Sequence, residues 1–577
     1  MNTLPDVNEA PLQPAERVRG CAAYEPPAPR WATDLRLDAN EGAAPSVLVL
    51  DAIASSGTEA MRRYPDPRPL EREIADSWGI DPVRVVLTNG GDDAIDRVCR
   101  SVLEPGRALL AHAPSFEMIA RSARLAGAGV ESVPWLDGAF PEQPFRDAIA
   151  PGVGLVAVVS PNNPTGGVIP VDAIRRIAED TRKVGAFVLV DLAYVEFAHE
   201  DPTPGLLGLD NVVMVRTFSK AFGLAGLRVG YALAPRPMAS WLRAAGGPYA
   251  VSGLSIAAAR AAWSEGPRGA FLDAVNGERR QVSEACDRLE LEPLTTQANF
   301  VTIRSPRARW VWESLGSLGI ATRWLERSEI PSLCRITLPG NEDAATRLVR
   351  AIETAADPQA ILLDLDGVLA DVSGSYRLAI EETARAFGIE LEPGAIARAK
   401  AAGDANNDWV LTRRLLEQRG VDAPLEAVVE RFQSVYLGDT KPGVREHERL
   451  IPSLGVIERL AARLPLGIVT GRPRAEAEWF LDRAGLRGLV ASLVAMEDAP
   501  AKPSPEPVSR ALRELGVARA WMVGDTPDDV VAARGAGVVP VGVMAPGEDT
   551  EPGIETLERA GAARVIRDLE ELEGLLP

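Results

Sequence analysis

The chain has 577 residues, a hydrophobic share of 46% and a formal net charge of −19 at pH 7. That length predicts more than one domain, each with a buried core. The charge argues against nucleic-acid binding, which needs clustered Lys and Arg, and no apolar run is long enough to span a membrane. The four cysteines form no CxxC pair and the start lacks an apolar signal segment, so we expect a cytoplasmic protein without structural zinc.

Residues 1–30 are rich in proline and polar residues and predict an N-terminal arm. Beyond it, short β-branched runs alternate with helical stretches, and several runs are apolar throughout. Such runs are typical of parallel strands covered on both faces of a sheet. We predict a large α/β domain over about 45–255, and a small domain over about 260–356 that includes the N-terminal segment. Buried strands are predicted at 83–88, 153–160, 186–191 and 212–219.

A second α/β rhythm begins after the short linker at 357–359. The pattern predicts a Rossmann-like domain over 357–577, with its core at 360–372 and 464–577. The residues between its first two strands, about 373–463, are mostly helical and would form a cap. Its strands are predicted at 360–366, 466–471, 518–525 and 538–544.

The segment RTFSKAFGLAGLRVG (216–230) places Lys220 just after a predicted strand. Thr217 and Ser219 precede this lysine, and Arg228 follows it. A lysine amine in this position can form a Schiff base with an aldehyde cofactor, while the hydroxyls and the guanidinium can hold that cofactor's phosphate. A surface lysine in a strand-to-helix loop is the alternative.

Three more segments place polar side chains at the ends of predicted strands. TNGGDDAIDR opens a helix at Gly91 and Asp92, where backbone amides suit a phosphate. SPNNPTGG offers Asn163, which can donate to a phenolic oxygen on a ring. VDLAYVEF ends a strand in Asp191, whose carboxylate can keep a pyridine nitrogen protonated, and Tyr194 follows. Taken singly, Asp191 could cap a helix and Tyr194 could be a core residue.

Together, and in this order, these segments resemble the fold-type I aminotransferases that use pyridoxal phosphate, over roughly residues 24–356. The resemblance implies a large mixed α/β sheet domain and a small domain. It implies that Lys220 forms the Schiff base and moves the substrate proton. Asp191 would pair with the ring nitrogen, and Tyr194 and Asn163 with the ring oxygen.

The same resemblance assigns further contacts to the cofactor. Phe116 of APSFEM would stack on the ring, although many relatives have tyrosine there. Tyr64 of RRYPDP would reach the cofactor phosphate of a neighbouring subunit, which implies a homodimer through this half of the chain. The phosphate of the chain's own cofactor would be held by Gly91, Asp92, Thr217, Ser219 and Arg228.

Within that group, the segments AYEPP (23–27) and LDANEGAAPS (37–46) are similar to those of histidinol-phosphate aminotransferases. This resemblance implies that Arg323, Arg335 and Tyr24 grip a substrate phosphate, and that glutamate is a suitable amino donor. Two alternatives stay open. Arg335 could bind a substrate α-carboxylate, as in many aminotransferases, and a phosphothreonine decarboxylase resembles this group too.

The second half carries four short motifs, each at or just after a predicted strand end. In DLDGVL, Asp364 can attack phosphorus, while Asp366 protonates the leaving oxygen and then activates water. Thr470 of VTGRP can hydrogen-bond the phosphoryl group, and Lys502 of AKPSPEP can neutralise it. Mg²⁺ would screen the negative charges. Its predicted ligands are Asp364, Asp366, Asp525 and Asp529.

These motifs resemble the haloacid dehalogenase superfamily, whose helical cap lies between the first two motifs. Dehalogenases proper lack the second aspartate, so the presence of Asp366 implies a phosphatase, with a phosphohexomutase as the alternative. The cap loop GDANNDW (403–409) could reach the site or could be an ordinary loop between helices.

The two resemblances together imply consecutive steps on small phosphorylated molecules. Transamination of imidazole-acetol phosphate by glutamate gives histidinol phosphate, and hydrolysis of that ester would follow. Two alternatives remain: a phosphatase or mutase of unrelated specificity fused to an aminotransferase of another substrate, or a half that is catalytically silent.

Overall fold

The computed structural model describes residues 13–24, 30–327, 330–401, 407–439, 441–546 and 551–577. Most of the predicted N-terminal arm lies outside these residues, as do 25–27 of the AYEPP segment and 403–406 of the predicted cap loop. Within the described part, no helix combines the length and the apolar character needed to cross a membrane. The domain limits given above stay a prediction.

Two sheets make up the first half of the chain. Strands β2 to β8 form a seven-stranded sheet in the order β2-β8-β7-β6-β5-β3-β4, and β1 joins β9 to β11 in a four-stranded sheet. The strands are β1 (Leu35–Leu37), β2 (Val85–Thr88), β3 (Ala108–Ala113), β4 (Gly129–Pro134), β5 (Val153–Val159), β6 (Phe187–Asp191), β7 (Val212–Thr217), β8 (Gly230–Leu233), β9 (Phe300–Ile303), β10 (Ile320–Arg327) and β11 (Ile330–Thr337).

The four strands predicted for this half are β2, β5, β6 and β7. Only the pairing of β2 differs from the predicted parallel arrangement. β5, β6 and β7 pair in parallel, whereas β2 pairs with β8, which runs antiparallel to both of its neighbours. The difference arises because the loop after β7 returns the chain in the opposite direction as β8. Residues 83 and 84 belong to a 3-10 turn (Pro82–Arg84) whose start is capped by Asp81.

Helices cover both faces of the seven-stranded sheet. Alternate residues of β5 point to opposite faces, so Val156 and Val158 lie in one apolar core while Leu155 and Val159 lie in the other. The helices are α1 (Glu16–Arg19), α2 (Val47–Ser55), α3 (Glu59–Arg62), α4 (Arg68–Trp78), α5 (Gly90–Val102), α6 (Glu117–Leu125), α7 (Glu142–Asp147), α8 (Val171–Lys183), α9 (Thr203–Leu206), α10 (Arg236–Ala245), α11 (Gly253–Glu265), α12 (Gly269–Arg288), α13 (Ala308–Ser317) and α14 (Glu342–Ala356).

The second half contains a six-stranded parallel sheet in the order β16-β15-β12-β17-β18-β19. Its first strand, β12, lies between β15 and β17, so the loops after these three strands meet at one edge. A short pair, β13 and β14, marks where the chain leaves and re-enters the sheet domain. The strands are β12 (Ala360–Leu363), β13 (Ala370–Asp371), β14 (Arg449–Leu450), β15 (Leu466–Val469), β16 (Val490–Val494), β17 (Ala520–Gly524), β18 (Val539–Val543) and β19 (Arg564–Ile566).

The insertion between β12 and β15 is mainly helical. Helices α15, α17 and α18 pack on one another, whereas α19 contacts α24 of the sheet domain, with Arg459 Nε 3.0 Å from a carboxylate oxygen of Glu573. The helices of the second half are α15 (Tyr376–Ala386), α16 (Ala395–Ala401), α17 (Asp408–Glu417), α18 (Leu425–Leu437) and α19 (Leu454–Arg463) before β15, and α20 (Arg474–Arg483), α21 (Glu506–Leu515), α22 (Pro527–Gly535), α23 (Glu551–Ala560) and α24 (Leu569–Leu575) after it.

The two halves share a buried contact. The rings of Trp310 in α13 and Trp521 in β17 meet edge to face, with centroids 4.7 Å apart. Trp521 donates from its indole nitrogen to the carbonyl of Thr354 at 2.8 Å, and Trp31 donates in the same way to Ala562. The sheet domain of the second half therefore packs against the small lobe of the first.

Candidate active sites

A cavity of about 300 Å³ lies between the two sheets of the first half. Its floor is formed by the loops that follow β2, β5, β6 and β7, because parallel strands bring their carboxyl ends to the same edge. Thirteen of the residues predicted for this site line the cavity. They are Tyr24, Gly91, Asp92, Phe116, Asn163, Asp191, Tyr194, Thr217, Ser219, Lys220, Arg228, Arg323 and Arg335.

Tyr64 is the predicted residue that does not line this cavity. Its side chain is 80% exposed and stacks on Tyr249, with ring centroids 4.4 Å apart. Tyr64 therefore lies on the surface of the chain, away from its own cofactor cavity.

Lys220 extends from the loop after β7 into the cavity, where its amine donates to the carbonyl of Ala39 at 2.9 Å. Burial lowers the pKa of Lys220 to about 8, and the positive charge of Arg335 acts in the same direction. A lowered pKa increases the fraction of neutral amine, which is the nucleophilic form.

Asp191 ends β6 with a buried carboxylate. Burial raises its pKa to about 7, and the backbone amide of Ala193, which donates to it at 3.0 Å, opposes that rise. Within the described part of the chain, the carboxylate of Asp191 has no ion pair with a cationic side chain. A protonated ring nitrogen would supply the missing positive charge, so the position fits the pyridine end of pyridoxal phosphate.

Asn40 was not predicted to be a site residue, although it lies in the LDANE segment. Its side-chain amide donates to the hydroxyl of Tyr194 at 3.0 Å, and its backbone has a φ of 54°. The hydrogen bond holds the Tyr194 hydroxyl beside the cavity. The residue type was the available hint to this turn, because asparagine adopts the left-handed backbone conformation more readily than most residues.

Donors gather at the start of α5. The hydroxyl of Thr217 donates to that of Ser219 at 3.0 Å, and Arg228 lies 3.4 Å from Ser219 and 3.2 Å from Asp92. Gly90 permits this arrangement because it has a φ of +78°, and an added Cβ would lie 2.5 Å from the Arg228 guanidinium. Hydroxyls, a guanidinium and helix-start amides together fit a phosphate.

Arg323 and Arg335 lie directly opposite each other on β10 and β11. Arg335 is buried; it donates to Asn163 Oδ1 at 2.6 Å and to the carbonyl of Asp38 at 2.8 Å. Burial lowers the pKa of Arg335, and the nearby charge of Arg323 also lowers it. Two adjacent guanidinium groups at a cavity wall suit an anionic substrate group.

The second site lies at the carboxyl edge of the parallel sheet in the second half. Ligand oxygens of Asp364, Asp525 and Asp529 lie within 4.8 Å of one another. Carboxylate oxygens at this spacing fit a hard divalent cation such as Mg²⁺. Burial raises the pKa of Asp364 to about 7, and the Lys502 ammonium opposes the rise. Lys502 donates to Asp364 at 2.9 Å and also pairs with Asp529.

Asp366 lies outside that carboxylate group. Its carboxylate accepts from the guanidinium of Arg472 at 2.6 Å. A role for Asp366 as a metal ligand stays a prediction. Arg472 was missed although it stands two residues after Thr470 in VTGRP, because its partners are distant in the sequence.

A small cavity of about 30 Å³ lies beside this second site. Thr470, Lys502 and Asn407 line it. Asn407 belongs to the predicted cap loop and caps α17 by accepting from Trp409 and Val410. The predicted cap therefore contributes Asn407 to a cavity that Thr470 and Lys502 also line.

Comparisons with known proteins identify two enzyme domains in the chain. Residues 33–352 match the family model "Aminotransferase class I and II", and residues 358–537 match "haloacid dehalogenase-like hydrolase". The chain belongs to the class I and II aminotransferases and carries a haloacid dehalogenase-like hydrolase domain behind the aminotransferase half. It is an enzyme, and its aminotransferase half uses pyridoxal phosphate. The predicted fold class and the predicted pairing of two enzyme domains are confirmed.

Two curated relatives are similar to parts of this chain. Histidinol-phosphate aminotransferase 1 of Dechloromonas aromatica is 33% identical over 331 residues, which is 56% of this chain and 90% of that protein. Imidazoleglycerol-phosphate dehydratase of Phytophthora nicotianae is 44% identical over 241 residues, which is 39% of this chain and about half (53%) of that protein.

A solved structure supports the fold alone. Histidinol-phosphate aminotransferase from Sinorhizobium meliloti, in complex with pyridoxal-5'-phosphate, superposes with a TM-score of 0.54 at 24% identity. The match covers 60% of this chain and 99% of that one.

Proposed function

We propose that this chain catalyses two consecutive steps of histidine synthesis. Its first half would transfer an amino group from glutamate to imidazole-acetol phosphate, and its second half would hydrolyse the resulting histidinol phosphate. The main support is the pair Arg323 and Arg335, which lie opposite each other at the aminotransferase cavity. The same chain also contains the carboxylates of the proposed phosphatase site. The relatives' names support the proposal, since both substrates named there are phosphate esters.

In the aminotransferase half, bound pyridoxal phosphate supplies an electron-withdrawing ring that stabilises negative charge on the substrate carbon. Asp191 would hold the ring nitrogen in its charged form, while Tyr194 and Asn163 would bond the ring oxygen. The neutral amine of Lys220 would remove the proton from the substrate carbon that bears nitrogen. The phosphate would be held by Gly91, Asp92, Thr217, Ser219 and Arg228, and Phe116 would pack on the ring.

Arg323, Arg335 and Tyr24 would bind the phosphate of the substrate. The test is transamination by Arg323→Ala with histidinol phosphate and with histidinol as amino donors. We expect KM for histidinol phosphate to rise by roughly 10- to 100-fold, since a charged hydrogen bond contributes about 1.5–3 kcal/mol, while the weak reaction of histidinol changes little. An equal loss on both amines would instead assign the arginine pair to another substrate group.

We propose that the aminotransferase half forms a homodimer. Val47, Leu48 and Leu50 of α2 are 47–71% exposed, and Met61 and Tyr64 nearby are 71% and 80% exposed. A cluster of exposed apolar side chains of this kind is typical of a protein interface. Tyr64 would then reach the partner's cofactor phosphate. A monomeric mass by analytical ultracentrifugation at micromolar concentration would contradict the dimer.

In the phosphatase half, Asp364 would attack phosphorus as the bond to the leaving oxygen breaks, and Asp366 would give that oxygen its proton. Asp366 would then take a proton from water as the water displaces Asp364 from phosphorus. Thr470 and Lys502 would bind the phosphoryl oxygens. Mg²⁺ would be held by Asp364, Asp525 and Asp529, with Asp366 as a further predicted ligand, and would offset negative charge.

The test of the joint function is phosphate release from L-histidinol phosphate with Mg²⁺, compared with the Asp364→Asn variant. We expect release that needs both Mg²⁺ and Asp364. If the wild-type chain hydrolyses a generic phosphoester but leaves histidinol phosphate intact, the two halves act on unrelated substrates.

A further inference from the structure

Arg472 is a buried cation at the junction of the cap and the sheet domain. Its side chain is 1% exposed. Its Nε donates to Asp366 at 2.6 Å, and one terminal nitrogen donates to Glu448 at 2.9 Å. Glu448, whose side chain is 0% exposed, directly precedes β14, where the chain returns from the cap.

The surroundings fix the guanidinium in one place. It lies over the rings of Tyr376 from the cap helix α15 and Phe480 from the core helix α20, 4.7 and 5.5 Å from their centroids. Glu448 also accepts from Ser375 at 2.9 Å and from the Tyr436 hydroxyl at 3.0 Å. A buried charge is costly unless it is paired, and two carboxylates and two aromatic rings surround this guanidinium.

The second site contains two buried cations, and each of them pairs with a different pair of carboxylates. Lys502 serves Asp364 and Asp529, whereas Arg472 serves Asp366 and Glu448. Without Arg472, two carboxylates at the cap stem would lack this cation, and Asp366 would be free to rotate away from the site. The backbone N–H of Arg472 also donates to the Thr470 hydroxyl at 3.1 Å.

We propose that Arg472 is a positioning residue that fixes Asp366 for proton transfer to the leaving oxygen and ties the cap stem to the core through Glu448. The inference rests on the proposed function, since it assumes that Asp366 acts as the acid. It does not depend on the identity of the natural substrate.

The test uses the full chain with phenyl phosphate and p-nitrophenyl phosphate, which have similar shapes. Phenolate is the poorer leaving group and needs the proton more. In Arg472→Met we expect kcat for phenyl phosphate to fall by roughly 100-fold or more, the usual contribution of general acid catalysis, and kcat for p-nitrophenyl phosphate by less than about 10-fold. An equal fall on both esters would overturn the proposal.

A second comparison keeps the proposal testable if Arg472→Met folds poorly. Arg472→Lys retains the charge but loses the planar fork, and it should show the same preference for the better leaving group in weaker form. In an Asp366→Asn chain, adding Arg472→Lys should change p-nitrophenyl phosphate hydrolysis by less than about 2-fold, because both changes remove one function. Independent losses that multiply would contradict the inference.

Two controls separate this inference from other failures. Glu448→Gln leaves the pairing of Arg472 with Asp366 in place, so its effect should be equal on both esters. Circular dichroism of each variant, compared with the wild-type chain, reports folding. A wild-type chain that hydrolyses neither ester would refute the proposed phosphatase, whereas an active wild type with no leaving-group effect in the variants would refute only the role of Arg472.

Discussion

At the scale of single residues, burial favours the uncharged forms of two side chains in the aminotransferase cavity. The pKa of Lys220 is lowered to about 8 and that of Asp191 is raised to about 7, in both cases mainly by burial. The neutral amine is ready to react with an aldehyde, and the carboxyl group gains its charge when a cationic ring arrives. The protonation states of both residues therefore suit a cofactor that carries an aldehyde and a cationic ring.

The pKa of Lys220 predicts how cofactor attachment depends on pH. Because the neutral amine reacts, the rate at which cofactor-free protein binds pyridoxal phosphate should rise as pH increases through about 8 and level off above it. Stopped-flow absorbance would measure this rate. Arg335→Met removes a positive charge that lowers the pKa of Lys220, so its curve should move to higher pH. A rate independent of pH between 6 and 9, or no shift in the variant, would contradict this account.

At the scale of elements, the sites depend on how strand ends and helix starts meet. The loop after β7 carries Lys220, while Gly90 at the start of α5 allows Arg228 to approach. On the other wall, the register of β10 and β11 brings Arg323 and Arg335 side by side. The two arginines are twelve positions apart in the sequence, and the antiparallel pairing of β10 with β11 places them opposite each other.

Two neighbouring glycines give a matched test of the α5 start. In Gly90→Ala, the new Cβ would lie 2.5 Å from the Arg228 guanidinium at a φ of +78°, so we expect pyridoxal phosphate to bind roughly 10-fold more weakly or worse. In Gly91→Ala, the nearest protein contact is an ordinary 3.7 Å from Val215, so Arg228 keeps its place and the loss of affinity should be smaller than in Gly90→Ala. Equilibrium titration of cofactor-free protein would decide, and equal affinities of the two variants would refute the argument.

At the scale of the whole molecule, the two enzymes form one packed unit joined by a very short linker. Trp310 of the first half belongs to the same apolar core as Trp521 of the second. Close tethering raises the local concentration of an intermediate that one site releases and the other uses. The packing also implies that the stabilities of the halves are linked.

Trp521→Ala tests that linkage. Trp521 is fully buried, so we expect its removal to lower the free energy of unfolding by about 3–5 kcal/mol and to lower the denaturation midpoints of both halves. Urea denaturation, followed by cofactor release and by phosphatase activity, would measure each half. Trp241→Ala, at a residue 45% exposed, is the matched control and should cost much less. A midpoint that falls only in the phosphatase half would show that the halves unfold independently.

The sequence by itself determined the elements and much of the chemistry of this protein. Continuous apolar runs predicted β5, β6 and β7, because a strand covered on both faces has no polar side. Lys220, Asp191 and Asp364 could be singled out because each stands at the end of such a run, where parallel sheets bind ligands.

Only the tertiary structure decided which distant residues meet. Three examples are the antiparallel neighbour of β2, the hydrogen bond of Asn40 to Tyr194, and the pairing of Arg472 with Asp366. In the last two, the partners are 106 or more positions apart in the sequence. The contact of Trp310 with Trp521 is of the same kind. Local patterns report the periodicity of one element, whereas these partners are selected by the packing of several elements at once.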